Sequence, residues 1–325
     1  MILGHLALFV LSMAVIWFFG GRLVDSTDRM AHRLHKSGFR VAFFVLGFIT
    51  SISEFSVMVS ASLDKAPEIS AGNLVGASIV IFLLIIPFLA IRSHGIKLAH
   101  TLTKGQLLVA LIAVFLPAAL MADGIATPNE GLVCLLMYAL LIYVMRPMMH
   151  ASSTPPPMPL VPGAEPQGPF DKFVTATKDV LGILVGGVII FFASRVLIDE
   201  THFLSDLFGI PGSFIGLLIL SIGTNIPELV VAIRAVQKKH TDIALGNYLG
   251  SAITNTVLFG LLVLINGRFT IDAAEFSITS IVTGVGLIAF YWFARSKNIL
   301  SRMEGWALAA MYIVFVLFQI YAVAG

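Results

Sequence analysis

Residues Ser221–Asn255 read SIGTNIPELVVAIRAVQKKHTDIALGNYLGSAITN. The stretch puts a carboxylate, Glu228, directly after a proline and inside an apolar run long enough to lie within a bilayer. An ionisable side chain at that depth is costly and marks an ion or substrate pathway. A short basic turn leads to a second apolar run, which carries Gly246, Asn247, Gly250, Ser251 and Asn255.

The rest of the chain supports a membrane setting. Of 325 residues, 58% are hydrophobic and 12% charged, and mean hydropathy is +0.97. A soluble protein of this size is far more polar, so the composition is that of a polytopic membrane protein. About 20 apolar residues cross the hydrocarbon layer. Ten segments meet that length, near residues 2–24, 39–63, 70–91, 106–122, 131–148, 180–197, 210–236, 243–265, 273–294 and 304–323. They lack the period-2 alternation of barrel strands, so the expected fold is all-α. The first of them has no basic leading region and is expected to be a retained helix. No basic domain suggests nucleic acid, and the single Cys134 excludes an intrachain disulfide or a cysteine metal cluster. The eight histidines are expected at surfaces or boundaries, with His5 alone clearly within a span.

Between the fifth and sixth segments, Ser152–Pro169 reads SSTPPPMPLVPGAEPQGP, a semi-rigid extended linker. The chain thus divides into residues 1–150, a linker at 151–170, and residues 171–325. With the N-terminus outside, 17 of the 20 Lys and Arg fall on inner loops, and only Lys65, Arg195 and Arg268 fall outside. The positive-inside rule therefore places both termini outside, in a multi-pass protein of the plasma (inner) membrane. Five spans per half is an odd number, so the second half enters from the opposite side.

Shifted by 174 positions, residues 47–81 match 221–255 without a gap at 11 of 35 positions, including Thr50/Thr224, Glu54/Glu228, Gly72/Gly246, Asn73/Asn247 and Gly76/Gly250. A repeat of that kind, with an odd span count, implies ten transmembrane helices as two inverted five-helix repeats. Such folds place their site near the midplane, where interrupted helices meet.

Pro227 should kink its helix just before Glu228. Freed carbonyls and the side chains of Thr224, Asn225 and Glu228 then become available to a hard cation, which takes oxygen ligands. Asn247, Ser251 and Asn255 follow one another at intervals of four, on one helix face. The first repeat offers Thr50, Ser51, Ser53 and Glu54, then Asn73 and Ser78. Ser53 stands where the second repeat has Pro227, and it can bend a helix by bonding back to a carbonyl. Isolated Ser, Thr and Asn in membrane helices more often bond a neighbouring helix; the two glutamates, with no basic residue available in the spans to neutralise both, are the stronger signal. Glu68 and Asp242, four residues before each Gly-Asn pair, read as helix caps or dipole partners, able also to line an entrance.

GTNIPEL followed by GNYLGSAITN resembles the signature of the cation/Ca²⁺ antiporter superfamily, the sodium/calcium exchangers, over nearly the whole chain. That resemblance implies Glu54 and Glu228 as central cation ligands, with Thr50, Ser51, Thr224, Asn225, Ser251 and Asn255 as oxygen donors. It also implies alternating access by movement of the first and sixth spans against the bundle that holds the site. Two departures stand out: Ala77 where the family has a serine, and Ile81 where it has a carboxamide or carboxylate. These positions pair with Ser251 and Asn255 at the 174-residue offset, so the first half carries fewer donors.

The expected function is a secondary-active antiporter exchanging Ca²⁺ for Na⁺, with no cofactor and with cations and the lipid bilayer as its partners. H⁺/Ca²⁺ exchange is the alternative, since a carboxylate short of ligands in a low-dielectric site can carry a proton. A channel or a non-transporting receptor fits less well, because a pore more naturally uses a symmetric oligomeric filter. An enzyme fits least, because no nucleophile, base and orienter set is present.

Overall fold

In lipid each backbone N–H and C=O must find a partner within the protein, and a helix supplies it locally. The computed structural model describes residues 2–33, 38–93, 95–97, 102–150, 169–208, 215–237, 241–271, 273–296 and 299–324, and it is almost wholly helical. The Pro-rich linker lies outside the described residues up to 168, and its last expected residues, Pro169 and Phe170, already belong to a helix.

Helix α1 (Ile2–Arg33) is followed by α2 (Gly38–Val41), a π-turn at Ala42–Leu46, α3 (Gly47–Thr50) and α4 (Ile52–Leu63). The chain returns through α5 (Pro67–Ile79), a second π-turn at Val80–Ile85 and α6 (Ile86–Arg92). After strand β1 (Ile96–Lys97) come α7 (Lys104–Leu120), β2 (Ile125–Ala126) and α8 (Pro128–His150). The second half has α9 (Pro169–Phe208), a π-turn at Ile215–Leu220, α10 (Ser221–Thr224), α11 (Ile226–Gln237) and α12 (Thr241–Asn266). It ends with β3 (Phe269–Thr270), α13 (Ala273–Ser296), β4 (Ile299–Leu300) and α14 (Arg302–Ala324).

Among the described residues seven helical stretches are long and apolar enough to cross a membrane: 38–63, 67–92, 104–123, 128–147, 242–266, 276–295 and 302–321. This is fewer than the ten segments expected. The other three fall on α1, on α9 and on the run from Ile215 to Gln237, which is helical but interrupted. Large apolar side chains such as Leu136, Ile288, Trp292 and Leu317 are exposed on the outer faces of α8, α13 and α14, as lipid-facing positions require.

The 174-residue offset recurs in the backbone. The π-turns at 42–46 and 215–220 coincide under it, and so do the breaks between α3 and α4 and between α10 and α11. The four short strands form two antiparallel pairs, β1 with β4 and β2 with β3. The offset carries one pair approximately onto the other. The halves interlock: a Cβ on Gly250 of α12 would collide with the Phe43 carbonyl, and one on Gly76 of α5 with the Leu217 carbonyl. The small-residue spacing of Gly246 and Gly250 thus lets α12 lie directly on the backbone of α2 and its π-turn.

The two long helices α1 and α9 pack along each other and are joined near both ends. Near one end His5 Nδ1 lies 2.6 Å from Glu200 Oε2, with the His5 ring stacked on Phe203 at 3.8 Å. Near the other, Arg29 Nε donates to Asp179 Oδ1 at 2.6 Å. His5 therefore sits at a helix end, as expected of a boundary residue, but it is bonded between helices rather than left on the surface.

Candidate cation site

Both helix breaks leave their residue with ψ near zero, at Ser51 (φ −75°, ψ 6°) and at Asn225 (φ −87°, ψ 4°). Each starts a new helix whose first turn carries a glutamate, Glu54 in α4 and Glu228 in α11. The positive end of a helix dipole favours a carboxylate there. The break falls two residues before Pro227 rather than beside Glu228, and Pro227 occupies the first turn of α11, where its missing N–H costs no hydrogen bond. The first repeat breaks as fully without a proline. Ser53 Oγ lies in reach of the Thr50 carbonyl at 3.1 Å, the Glu54 carboxylate at 2.9 Å and the Thr224 carbonyl at 3.2 Å. A serine at this position thus bridges the two breaks, a role that spacing alone did not suggest.

Glu54 and Glu228 are both wholly buried. Thr50, Ser51, Ser53, Asn73, Ser78, Thr224, Asn225, Asn247, Ser251 and Asn255 are buried as well. Ser251 Oγ donates to Glu228 Oε1 at 2.8 Å and lies 2.9 Å from Ser51 Oγ. The Thr50 hydroxyl lies beside Glu228 and the Thr224 hydroxyl beside Glu54, so each repeat's threonine faces the other repeat's glutamate. The conserved offset holds in the bonds that position them: Thr50 Oγ1 donates to Asn247 Oδ1 at 3.1 Å, and Thr224 Oγ1 to Asn73 Oδ1 at 3.2 Å. Asn73 and Asn247 accordingly orient the threonines. The Ser78 hydroxyl donates to the Leu74 carbonyl of its own helix at 3.4 Å.

Four buried side-chain oxygens of these residues have no hydrogen-bond partner among the described residues: Glu54 Oε1, Glu228 Oε2, Asn225 Oδ1 and Asn255 Oδ1. The Asn225 amide is held by donation to the Ser221 carbonyl at 2.6 Å, which fixes its oxygen as the free end. Buried polar groups are normally paired, and buried carboxylates need a counter-charge. Neither glutamate takes part in the ion pairs of the described residues, His5–Glu200 and Arg29–Asp179. Two negative charges, free carbonyl-type oxygens and several hydroxyls are the donor set of a hard cation. Among the described residues no group of three or more His, Cys, Asp or Glu could hold a metal, so the set is poor in charge and rich in neutral oxygen.

Ala77 and Ile81 are fully buried and bring only carbon where Ser251 and Asn255 bring oxygen. Tyr248, next to Asn247, is also buried, with a hydroxyl lacking a partner among the described residues; sequence reading passed over it because an aromatic in an apolar helix usually serves packing. Asp242 lies in the first turn of α12, as the cap reading implies, but its Oδ2 accepts from the Phe39 N–H at 3.2 Å. It thus also bonds the backbone of a neighbouring helix. Glu68 lies in the first turn of α5.

Comparison with known proteins gives a consistent result. The family model described as sodium/calcium exchanger protein matches residues 4–146 and 178–321. Over 147 residues the chain is 31% identical to sodium/calcium exchanger MaX1 of Methanosarcina acetivorans, a match covering 44% of this chain and 41% of that relative. Putative antiporter CaxA of Alkalimonas amylolytica is 25% identical over 302 residues, 92% of this chain and 93% of the relative. A solved structure of the sodium-calcium exchanger NCX_Mj, soaked with 100 mM Na⁺ and 10 mM Sr²⁺, shares the fold with a TM-score of 0.78 at 21% identity, covering 98% of this chain and 99% of that one.

Proposed function

The chain belongs to the sodium/calcium exchanger family, and on that premise we propose that it is a secondary-active antiporter exchanging Ca²⁺ for Na⁺ at a site built around Glu54 and Glu228. The observation that carries this reading is the pair of wholly buried glutamates, each with a carboxylate oxygen that no group among the described residues satisfies. One Ca²⁺, or two Na⁺, neutralises both charges. The two ions compete for the same oxygens, and that competition is the coupling.

Glu54 and Glu228 are the central ligands, and Thr50, Ser51, Thr224, Asn225, Ser251 and Asn255 supply neutral oxygens. Ser53, Asn73 and Asn247 shape the site, and Ser78 is set aside. The chain spans the plasma membrane ten times as two inverted halves, residues 1–150 and 171–325, with both termini outside. Its helices α1 and α9, bonded near both ends, move together against the site-bearing bundle during alternating access.

Proteoliposomes loaded with Na⁺ and diluted into Na⁺-free buffer test the proposal: they should accumulate external Ca²⁺, and a Glu54→Gln, Glu228→Gln double variant should not. Undiminished uptake in the double variant rejects the site. H⁺/Ca²⁺ exchange is the second reading, favoured by the buried carbon of Ala77 and Ile81 where oxygens are expected. Uptake driven by a pH gradient, and not by Na⁺, selects it.

A further inference from the structure

Polar residues continue along α4 beyond the site. Ser53, Ser56, Ser60 and Asp64 follow at intervals of three and four, which places them on one face. They lead to a crevice of about 250 Å³ between α4, the start of α5 and α9, whose lining includes Ser56, Ser60, Asp64, Ile69, Arg195 and Asp199. Ser56, which lines the crevice, is only 7% exposed, and its hydroxyl makes no hydrogen bond to the described residues. Asp64, Arg195 and Asp199 are exposed, and neither aspartate is ion-paired with Arg195. The crevice lies at the Lys65 end of α4, the end that the charge distribution of the loops assigns to the outside.

The equivalent face in the other half is different. The residues 174 positions after Ser56, Ser60 and Asp64 are Val230, Arg234 and Lys238. There the Arg234 guanidinium lies 4.4 Å from the centre of the Trp17 ring of α1, a cation–π contact that places a positive charge where the first half has a serine. One mouth is therefore polar and acidic, and its counterpart is covered and basic.

We propose that the crevice is the outer mouth of the cation path, in which Asp64 and Asp199 draw cations toward Glu54 along the Ser60–Ser56–Ser53 face and Arg195 tempers that attraction. The proposal rests on the exchanger reading. Field focusing by like charges at a low-dielectric cleft raises local ion concentration and capture rate. Because the interaction scales with ion charge, it discriminates divalent from monovalent ions before either reaches the site. One unit charge about 10 Å from a passing ion in water changes its local concentration about twofold for Na⁺ and about fourfold for Ca²⁺.

In proteoliposomes at low ionic strength, Asp64→Asn with Asp199→Asn should raise the half-saturating external Ca²⁺ concentration by roughly sixteenfold and that of external Na⁺ by about fourfold, the maximal rate being unchanged. Arg195→Gln should shift both the opposite way, and choline chloride near 0.5 M should erase both effects by screening. Equal shifts for the two ions, or shifts that survive screening, overturn the proposal. A second measurement does not depend on transport: Ser60→Cys, labelled from outside, should react several-fold faster with a cationic than with an anionic impermeant thiosulfonate, a preference lost in the double Asp→Asn background. No labelling from outside, or no charge preference, also overturns it. A wild-type protein that shows this preference but no gradient-driven flux rejects the exchanger reading and keeps the crevice.

Discussion

Replacing Gly250 by alanine should disrupt the site without touching any group proposed to bind an ion. A Cβ there collides with the Phe43 carbonyl oxygen and stands 3.0 Å from its carbonyl carbon and 3.1 Å from its Cα. Carbon atoms prefer about 3.5–4.0 Å. The obstacle is backbone, so no side chain can rotate away, and α12 must move off the π-turn by roughly half an ångström or more. Ser251 is the next residue, and its bonds of 2.9 Å to Ser51 and 2.8 Å to Glu228 lengthen with it. Overpacking costs about 1–3 kcal/mol, and two weakened hydrogen bonds add about 1 kcal/mol each. The sum, about 3–5 kcal/mol, should lower the melting temperature in detergent by roughly 6 °C or more and reduce Na⁺-driven Ca²⁺ uptake at the same time. Gly105→Ala is the control, since a Cβ there meets nothing within 4 Å. It should be neutral or stabilising by up to about 1 kcal/mol. A Gly250→Ala protein with wild-type melting temperature and exchange would refute the view that direct contact of α12 with a carbonyl sets the geometry of the site.

Restoring a hydroxyl at Ala77, the counterpart of Ser251, should lower the half-saturating Na⁺ concentration about fivefold, one neutral donor contributing about 1 kcal/mol; an unchanged Na⁺ dependence would mean that the first half does not lack that oxygen. Arg29→Asp places like charges together where Arg29 and Asp179 now meet at 2.6 Å. Because the Arg29 side chain is 49% exposed, screening limits the cost to about 1 kcal/mol, a fall of about 2–4 °C in melting temperature that Arg29→Asp with Asp179→Arg should recover.

Glu54 and Glu228 were legible because charge is rare in a bilayer and because the repeat names both. The helix breaks were half legible. Pro227 announces one of them, whereas in the first repeat the same bend depends on Ser53 reaching the carbonyls of Thr50 and Thr224, and a serine gives no such warning. The π-turns were invisible, since one extra residue in a helical turn leaves an apolar sequence apolar. Asp242 was legible as an acid at a helix start, but its bond to the Phe39 N–H was not, since sequence does not show which helix lies next to it in space. The long helix α9 is interspersed with polar residues along 40 positions, which blurs the edges of a span.

The glycine contacts that hold the halves together also bear on how such a chain arose. Gly76 of the first half lies on a carbonyl of the second, and Gly246 and Gly250 of the second lie on carbonyls of the first. Thr50 and Thr224 are positioned by asparagines from the opposite half. A half-length protein alone would leave these surfaces, and one buried glutamate, without their complement. Ala77 where the second half has Ser251, and Ser60 where it has Arg234, are differences that two identical chains could never have acquired.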